Sequence, residues 1–207
     1  MIFGLIIHEP LPKGKKGPEA NSLAIKMLKK LNFSAYEATQ FIEWNFRGTN
    51  HYKWDKLNQK VEVSWDDNIV VLNLKNPNKS VVNKGDENSS KLIQKALDYF
   101  NNDSFWLVAP YKIFDEGTER RIVDYENNPA LLITYTHGGS TPGDSYLWIL
   151  DETGKPISFK MWVSIIPVGG LEASWGDWTQ TKSGTLLPLK HALLGLTIDM
   201  GDVKAYN

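Results

Sequence analysis

With 207 residues, 23 basic and 24 acidic side chains and no cysteine, the chain can bury a sizeable core but carries no charge surplus to attract nucleic acid. The lack of cysteine removes disulfides, thiolate metal sites and cysteine nucleophiles. Eight Trp, eight Tyr and eight Phe point instead to aromatic strands, whose side chains form either a core or the lining of an apolar pocket.

Residues 1–7 are apolar (Met1, Ile2, Phe3, Gly4, Leu5, Ile6, Ile7) but far short of the roughly 20 residues that a membrane-spanning helix needs. Residues 8–18 follow as a Pro/Gly/Lys segment with the composition of a linker. One expectation is that a signal or anchor helix of a longer natural chain ends here, leaving residues 1–18 as its remnant; a strand-forming terminus is the other. From Glu19 the pattern turns helical, with Leu23, Ala24, Met27, Leu28 and Leu31 on one stripe and Asn21 or Ser22 as a cap. Ser34-Ala35-Tyr36-Glu37 matches a capping box and predicts a short helical turn.

A meander comes next. Ile42, Trp44 and Phe46 alternate with polar residues, as do Tyr52 with Trp54, and Val61 and Val63 with Trp65; short turns at Gly48-Thr49-Asn50 and Asp66-Asp67-Asn68 make these strands antiparallel. A second helix carries Leu92, Ile93, Ala96, Leu97 and Phe100 and is expected to stop near Asn101-Asn102-Asp103. Strands resume over 105–109, 120–125, 130–136, 171–179, 186–189 and 196–206. Between them sits the hairpin 144–163, with Tyr146, Trp148 and Leu150 on one strand and Ile157, Phe159, Met161 and Val163 on the other. The expected fold is mainly β (α+β): a curved antiparallel sheet or incomplete barrel of about ten or eleven strands, with two or three helices over its concave side, spanning residues 19–207 as a single domain.

The order of elements from Ala20 to Leu74, and the string from Tyr146-Leu147-Trp148-Ile149-Leu150-Asp151 through Gly154-Lys155-Pro156, resemble the periplasmic carriers and receptors of outer-membrane lipoproteins and the wider lipoprotein-sorting-like proteins. The resemblance implies a half-open antiparallel barrel with a helical lid over an apolar cavity. Phe105-Trp106 with Ala109-Pro110, and Trp162-Val163-Ser164-Ile165-Ile166-Pro167, are similar to a bacterial envelope group to which no activity attaches, implying a place in the periplasm or cell envelope. The carriers' lid-holding arginine has no counterpart, since the comparable region reads Asn50-His51-Tyr52-Lys53-Trp54 and Arg47 lies on the preceding strand. Fold and apolar-ligand capacity are therefore implied more strongly than lipoprotein transport.

Trp44, Phe46, Tyr52, Trp54, Val63, Trp65, Tyr146, Trp148, Phe159 and Met161 are the candidate cavity lining, or simply core if the helices fill the concavity. Arg47, His51 and His137 are the candidate rim residues for a polar head group. Trp162 points to the opposite face, to be covered by Trp175-Gly176-Asp177-Trp178 or the C-terminal segment, or else exposed at a partner surface. His137-Gly138-Gly139-Ser140 has the look of an esterase oxyanion loop, but the Gly-x-Ser-x-Gly elbow is missing, so it reads as a glycine-rich loop. The four histidines show no close metal-ligand spacing and no phosphate-cradling motif occurs. The expected function is a non-enzymatic envelope protein binding a lipid, an acylated molecule or another apolar ligand, without cofactor or metal. The alternative is a structural or interaction module with an envelope protein partner and no small ligand; a hydrolase using the His137 loop comes third.

Overall fold

A computed structural model of the chain describes residues 8–86, 88–137 and 142–207. The described chain is mainly antiparallel β, with fourteen strands in two sheets not closed into a barrel and three α-helices. It divides into two compact units that share the chain in alternation. The first holds Met1–Leu31, Pro110–Gly176 and Ala192–Leu196; the second holds Asn32–Ala109, Asp177–His191 and Thr197–Asn207.

In the second unit, β1 (Phe41–Phe46), β2 (Asn50–Asp55), β3 (Lys60–Trp65), β4 (Asn68–Asn73) and β5 (Val81–Lys84) form a meander, and β14 (Lys204–Tyr206) adds beside β1. Register follows the alternation: Ile42 pairs with Trp54, Trp44 with Tyr52, and Tyr52 with Val63, so the apolar members share one face. Helix α3 (Ser89–Val108) packs on β3, β4 and β5, and α2 (Phe33–Ala38) precedes β1. Asn88 caps α3 by accepting from the Ser90 backbone N–H at 2.9 Å. The expected stop at Asn101-Asn102-Asp103 and the strand over 105–109 are corrected here. Leu92, Ala96, Phe100, Asp103, Ser104 and Leu107 continue one buried stripe, and Asp103 spends its polarity on the sheet rather than on ending the helix.

The first unit holds α1 (Pro18–Lys30) and a sheet of order β10-β9-β8-β7-β6, made from β6 (Thr118–Tyr125), β7 (Asn128–Tyr135), β8 (Ser145–Leu150), β9 (Pro156–Trp162) and β10 (Leu171–Ser174). Helix α1 starts earlier than expected, with Pro18 at the first helical position, where its missing N–H costs nothing. It rests on β6 and β7 through buried Ala20, Ala24, Met27 and Leu28. The expected segment 171–179 is broken at Trp175 into β10 and β11 (Gly176–Gln180), and 196–206 is broken over 200–203 into β13 (Leu196–Asp199) and β14. Strand β12 (Leu186–Leu193) pairs with β11 and β13, and its Leu193 pairs with Ala173 of β10. Unlike the meander, β7 and β8 are apolar on both faces. Leu131 and Ile133 lie among the Trp148 side, while Leu132 and Leu147 join Val123 and Ala130 in a second buried cluster.

Residues 8–16, of linker composition, run pinned along this sheet. Glu9 ion-pairs with Lys160 at 2.7 Å, its carbonyl accepts from the Trp162 indole at 2.7 Å, and its N–H donates to Gly169 O. Lys15 exchanges both backbone hydrogen bonds with Ile122 of β6. Trp162 is therefore covered by the N-terminal segment and not, as expected, by the Trp175 loop or the C-terminus. Ile157, assigned to the apolar face, is 49% exposed; a register irregularity between Ile149 and Leu150 precedes the turn into β9. Among the described residues no helix is long and apolar enough to cross a membrane.

Two turn glycines separate backbone strain from steric room. At Gly117 (φ +82) an added Cβ would stand 2.1 Å from the His137 carbonyl oxygen, whereas at Gly195 (φ +78) it would meet nothing within 4 Å. Gly195→Ala is expected to cost about 1 kcal/mol, the left-handed penalty alone, and Gly117→Ala about 3 kcal/mol through the added clash. Urea unfolding of the two variants checks the difference; equal costs would show that the hairpin gives way at Gly117.

Candidate functional site

The ten candidate lining residues fall on two sheets. Trp44, Phe46, Tyr52, Trp54, Val63 and Trp65 share the α3-covered face of the second unit; Tyr146, Trp148, Phe159 and Met161 lie on β8 and β9 of the first. All ten are between 0% and 8% exposed. In the second unit Phe100 of α3 enters the aromatic face, with ring centroids 5.3 Å from Trp54, 6.2 Å from Trp44 and 6.4 Å from Tyr52, while Tyr99 meets Trp65 edge-on at 5.5 Å. Trp44 stacks on its cross-strand partner Tyr52 at 4.3 Å. In the first unit Trp148, Phe159 and Trp175 form a triangle with centroids 4.9–5.4 Å apart.

A polar cluster centred on Asp103 sits inside the second unit, and the sequence reading missed it. Asp103 is 2% exposed and its Oδ2 accepts from the Tyr52 hydroxyl at 2.5 Å and from the Asn50 amide at 2.8 Å, while Oδ1 accepts from Asn102. Burial pushes the Asp103 carboxyl above an ordinary carboxylate, against the pull of these hydrogen bonds and of Arg47. Burial, with Asp103 beside it, likewise drives the Tyr52 phenol far up. The available signal was an acid on a buried stripe, three residues after Phe100. Around this cluster the indole N–H groups of Trp44, Trp54 and Trp65 are buried with no hydrogen-bond partner among the described residues. His191, also missed, is 1% exposed with Nε2 2.7 Å from the Trp106 carbonyl oxygen.

The rim candidates do not converge on an aromatic cavity. Arg47 occupies a left-handed turn position (φ 53) and is exposed, as is His51 on β2. His137 lines an open cleft of about 340 Å³ in the first unit, together with Lys16, Asn21, Thr118, Glu119 and Arg120. Its cations are already engaged. Lys16 pairs with Glu119, whose carboxyl it and Arg121 hold below the usual range, and Arg120 donates to Asn21, to the Ile113 carbonyl and to Thr118 while lying 4.3 Å over the Phe114 ring. Gly138, Gly139, Ser140 and Thr141 of the oxyanion-like loop lie outside the described residues. Asp144, just after this loop, is 2% exposed and accepts from the Ser164 backbone N–H at 2.9 Å, which makes it a loop anchor. Among the described residues no group of three His, Asp or Glu side chains is placed to hold a metal ion.

Because Asp103 titrates higher in the native state, native protein holds a proton that the unfolded chain has lost once pH exceeds about 4. Its contribution is full below that pH and declines as pH rises through the native-state value. Asp103→Asn is expected to remove that part of the slope, and Asp103→Ala to cost about 2–3 kcal/mol at every pH by leaving Tyr52 and Asn50 unpaired. Urea midpoints of the three proteins across the acid range check this; parallel curves for wild type and Asp103→Asn would contradict it.

No family model, no curated protein and no solved structure matches the chain, so the likeness to the lipoprotein carriers rests on its sequence features alone.

Proposed function

We propose that the protein is a non-enzymatic interaction module whose aromatic faces are cores and whose surface meets its partner. The observation that carries this reading is the occupancy of the would-be cavity: Phe100 and Tyr99 stand among the aromatic rings where an acyl chain would lie. A site at the cell envelope belongs to the same proposal, through the likeness of residues 105–110 and 162–167 to an envelope group. The carrier reading stands second. It is favoured by the three buried indole N–H groups, which a ligand with acceptor oxygens would satisfy if α3 were displaced.

Native mass spectrometry followed by organic extraction separates the two. The module reading expects a clean apo mass and no mass gain with added fatty acid or lysolipid; a stoichiometric acyl species would overturn it in favour of the carrier. As core residues, Phe100 and Trp54 should each cost about 3–5 kcal/mol when replaced by alanine. Their loss should open a cavity that takes up small apolar probes, which the wild type excludes.

A further inference from the structure

We propose that the open cleft of the first unit binds a phosphate group, free or carried as an ester, on the unspent edge of the Arg120 guanidinium. The inference goes beyond the interaction-module reading and does not depend on it.

The observation that carries it is a cation fixed in place with donors left over. Arg120 of β6 lines the cleft, and its guanidinium is held from several directions. Nε donates to Asn21 Oδ1 at 2.9 Å, Nη1 donates to the Ile113 carbonyl and to the Thr118 hydroxyl at 2.8 Å each, and the guanidinium carbon lies 4.3 Å from the Phe114 ring centroid. These bonds use Nε and Nη1 only. The two N–H groups of Nη2 have no hydrogen-bond partner among the described residues. An exposed arginine normally has to be ordered by the anion it meets; this one is already ordered by groups that leave one edge of the fork open.

Two further groups reach the same cleft from other segments. Asn21 of α1 gives its Oδ1 to Arg120, which leaves its Nδ2 amide without a partner among the described residues. His137, just past β7, is brought in by Gly117. The Gly117 carbonyl accepts from the Thr136 N–H at 2.7 Å and from its hydroxyl at 2.9 Å, and an added Cβ at Gly117 would stand 3.2 Å from His137 Nδ1. The imidazole therefore lies against a residue that has no side chain to displace it. No contiguous phosphate-cradling motif marks the place in the sequence, because its groups come from α1, β6 and the end of β7.

The charge balance selects an anion. Glu119 is the acid among the described lining residues, and its two oxygens are taken by Arg121 and Lys16, so a cation would find no unpaired carboxylate there. Asp115, close by in sequence, pairs with Lys112 at 3.4 Å. A phosphate suits the place better than a carboxylate does. Donors that come from three segments can meet the several oxygens of a tetrahedral group, whereas a carboxylate offers two oxygens in one plane. At about 340 Å³ the open cleft also leaves room for the organic part of an ester.

The test is NMR titration of the full chain with inorganic phosphate, with glycerol phosphate and with acetate, each against sodium chloride of the same ionic strength. Phosphate should shift the Gly117 and His137 amide signals saturably, and acetate should bind roughly fivefold more weakly. Tighter binding of the ester than of the free ion would support the phosphate class with an organic part in the cleft; the reverse order would support it with the free ion as ligand. Arg120→Ala would remove structural contacts together with the donor, so the variant of choice is Asn21→Asp. It keeps an oxygen for Arg120 Nε and adds an acid near the start of α1, so the urea midpoint should hold or rise. Phosphate binding should nonetheless weaken roughly tenfold, because a negative charge then stands in the cleft. A response to phosphate no larger than that to chloride, acetate binding as tightly as phosphate, or undiminished binding by Asn21→Asp would each overturn the proposal. No acyl ligand enters these titrations, so such a failure leaves untouched the apo mass on which the module reading depends.

Discussion

An antiparallel sheet that gathers its aromatic side chains on one face must have that face covered, and this demand organises both units. In the second unit, α3 supplies Leu92, Ala96, Phe100 and Leu107 as the cover, and the cross-strand pairs Ile42–Trp54 and Trp44–Tyr52 set where Phe100 can enter. In the first unit, β7 and β8 are apolar on both faces, so one cover is not enough. Helix α1 rests on β6 and β7, and the segment from His8 to Lys16 is drawn in by the Glu9–Lys160 ion pair and the Lys15–Ile122 bridge. A stretch with the composition of a linker thus becomes part of the fold.

Covering an aromatic face with a helix leaves a packing problem at each polar atom the face contains. Tyr52 lies in the middle of its face, and its hydroxyl needs a partner once α3 closes over it. Asp103 meets that need at 2.5 Å and ties α3 to β2 as it does so. The cost of burying a carboxyl is shared among Tyr52, Asn50 and Asn102, whose hydrogen bonds offset desolvation. Among the described residues the indoles of Trp44, Trp54 and Trp65 have no such arrangement. The rings of this face are confined by shape more than by hydrogen bonding.

The β1–β4 meander was legible because alternation, turn residues and strand length all agreed there. The limits of legibility lie where one residue serves two purposes. Asn101-Asn102-Asp103 has the composition of a helix stop, yet the i+3 spacing from Phe100 to Asp103 keeps the acid on the buried stripe, and only the position of Tyr52 across the interface explains it. In β7 and β8 the near-continuous apolar run hid a second buried face, since a two-sided strand carries no alternation to read. Trp162 was correctly assigned to the far face of its strand, but its cover comes from a residue 153 positions away, which local pattern cannot show. The split of the ten aromatic and aliphatic candidates between two sheets was invisible for the same reason: strand alternation gives the face of a residue, not the sheet to which its strand belongs.

The filled cores also bear on where function can lie. A cavity carrier keeps its binding energy inside, so its surface is free to be polar and its turns to take their preferred residues. Here the relation is inverted: the interior is spent on ring contacts, and the departure from turn preference falls on the surface, at Leu194. Its neighbours give no structural reason for it, since Gly195 beside it stands in open space. A strained, exposed aliphatic residue is stable only because the strands that lead to it are held by the remainder of the sheet, with Leu193 paired to Ala173 immediately before the turn. The rigidity of the core is what allows an unfavourable turn to be kept, and the exposed side chain is what the turn presents.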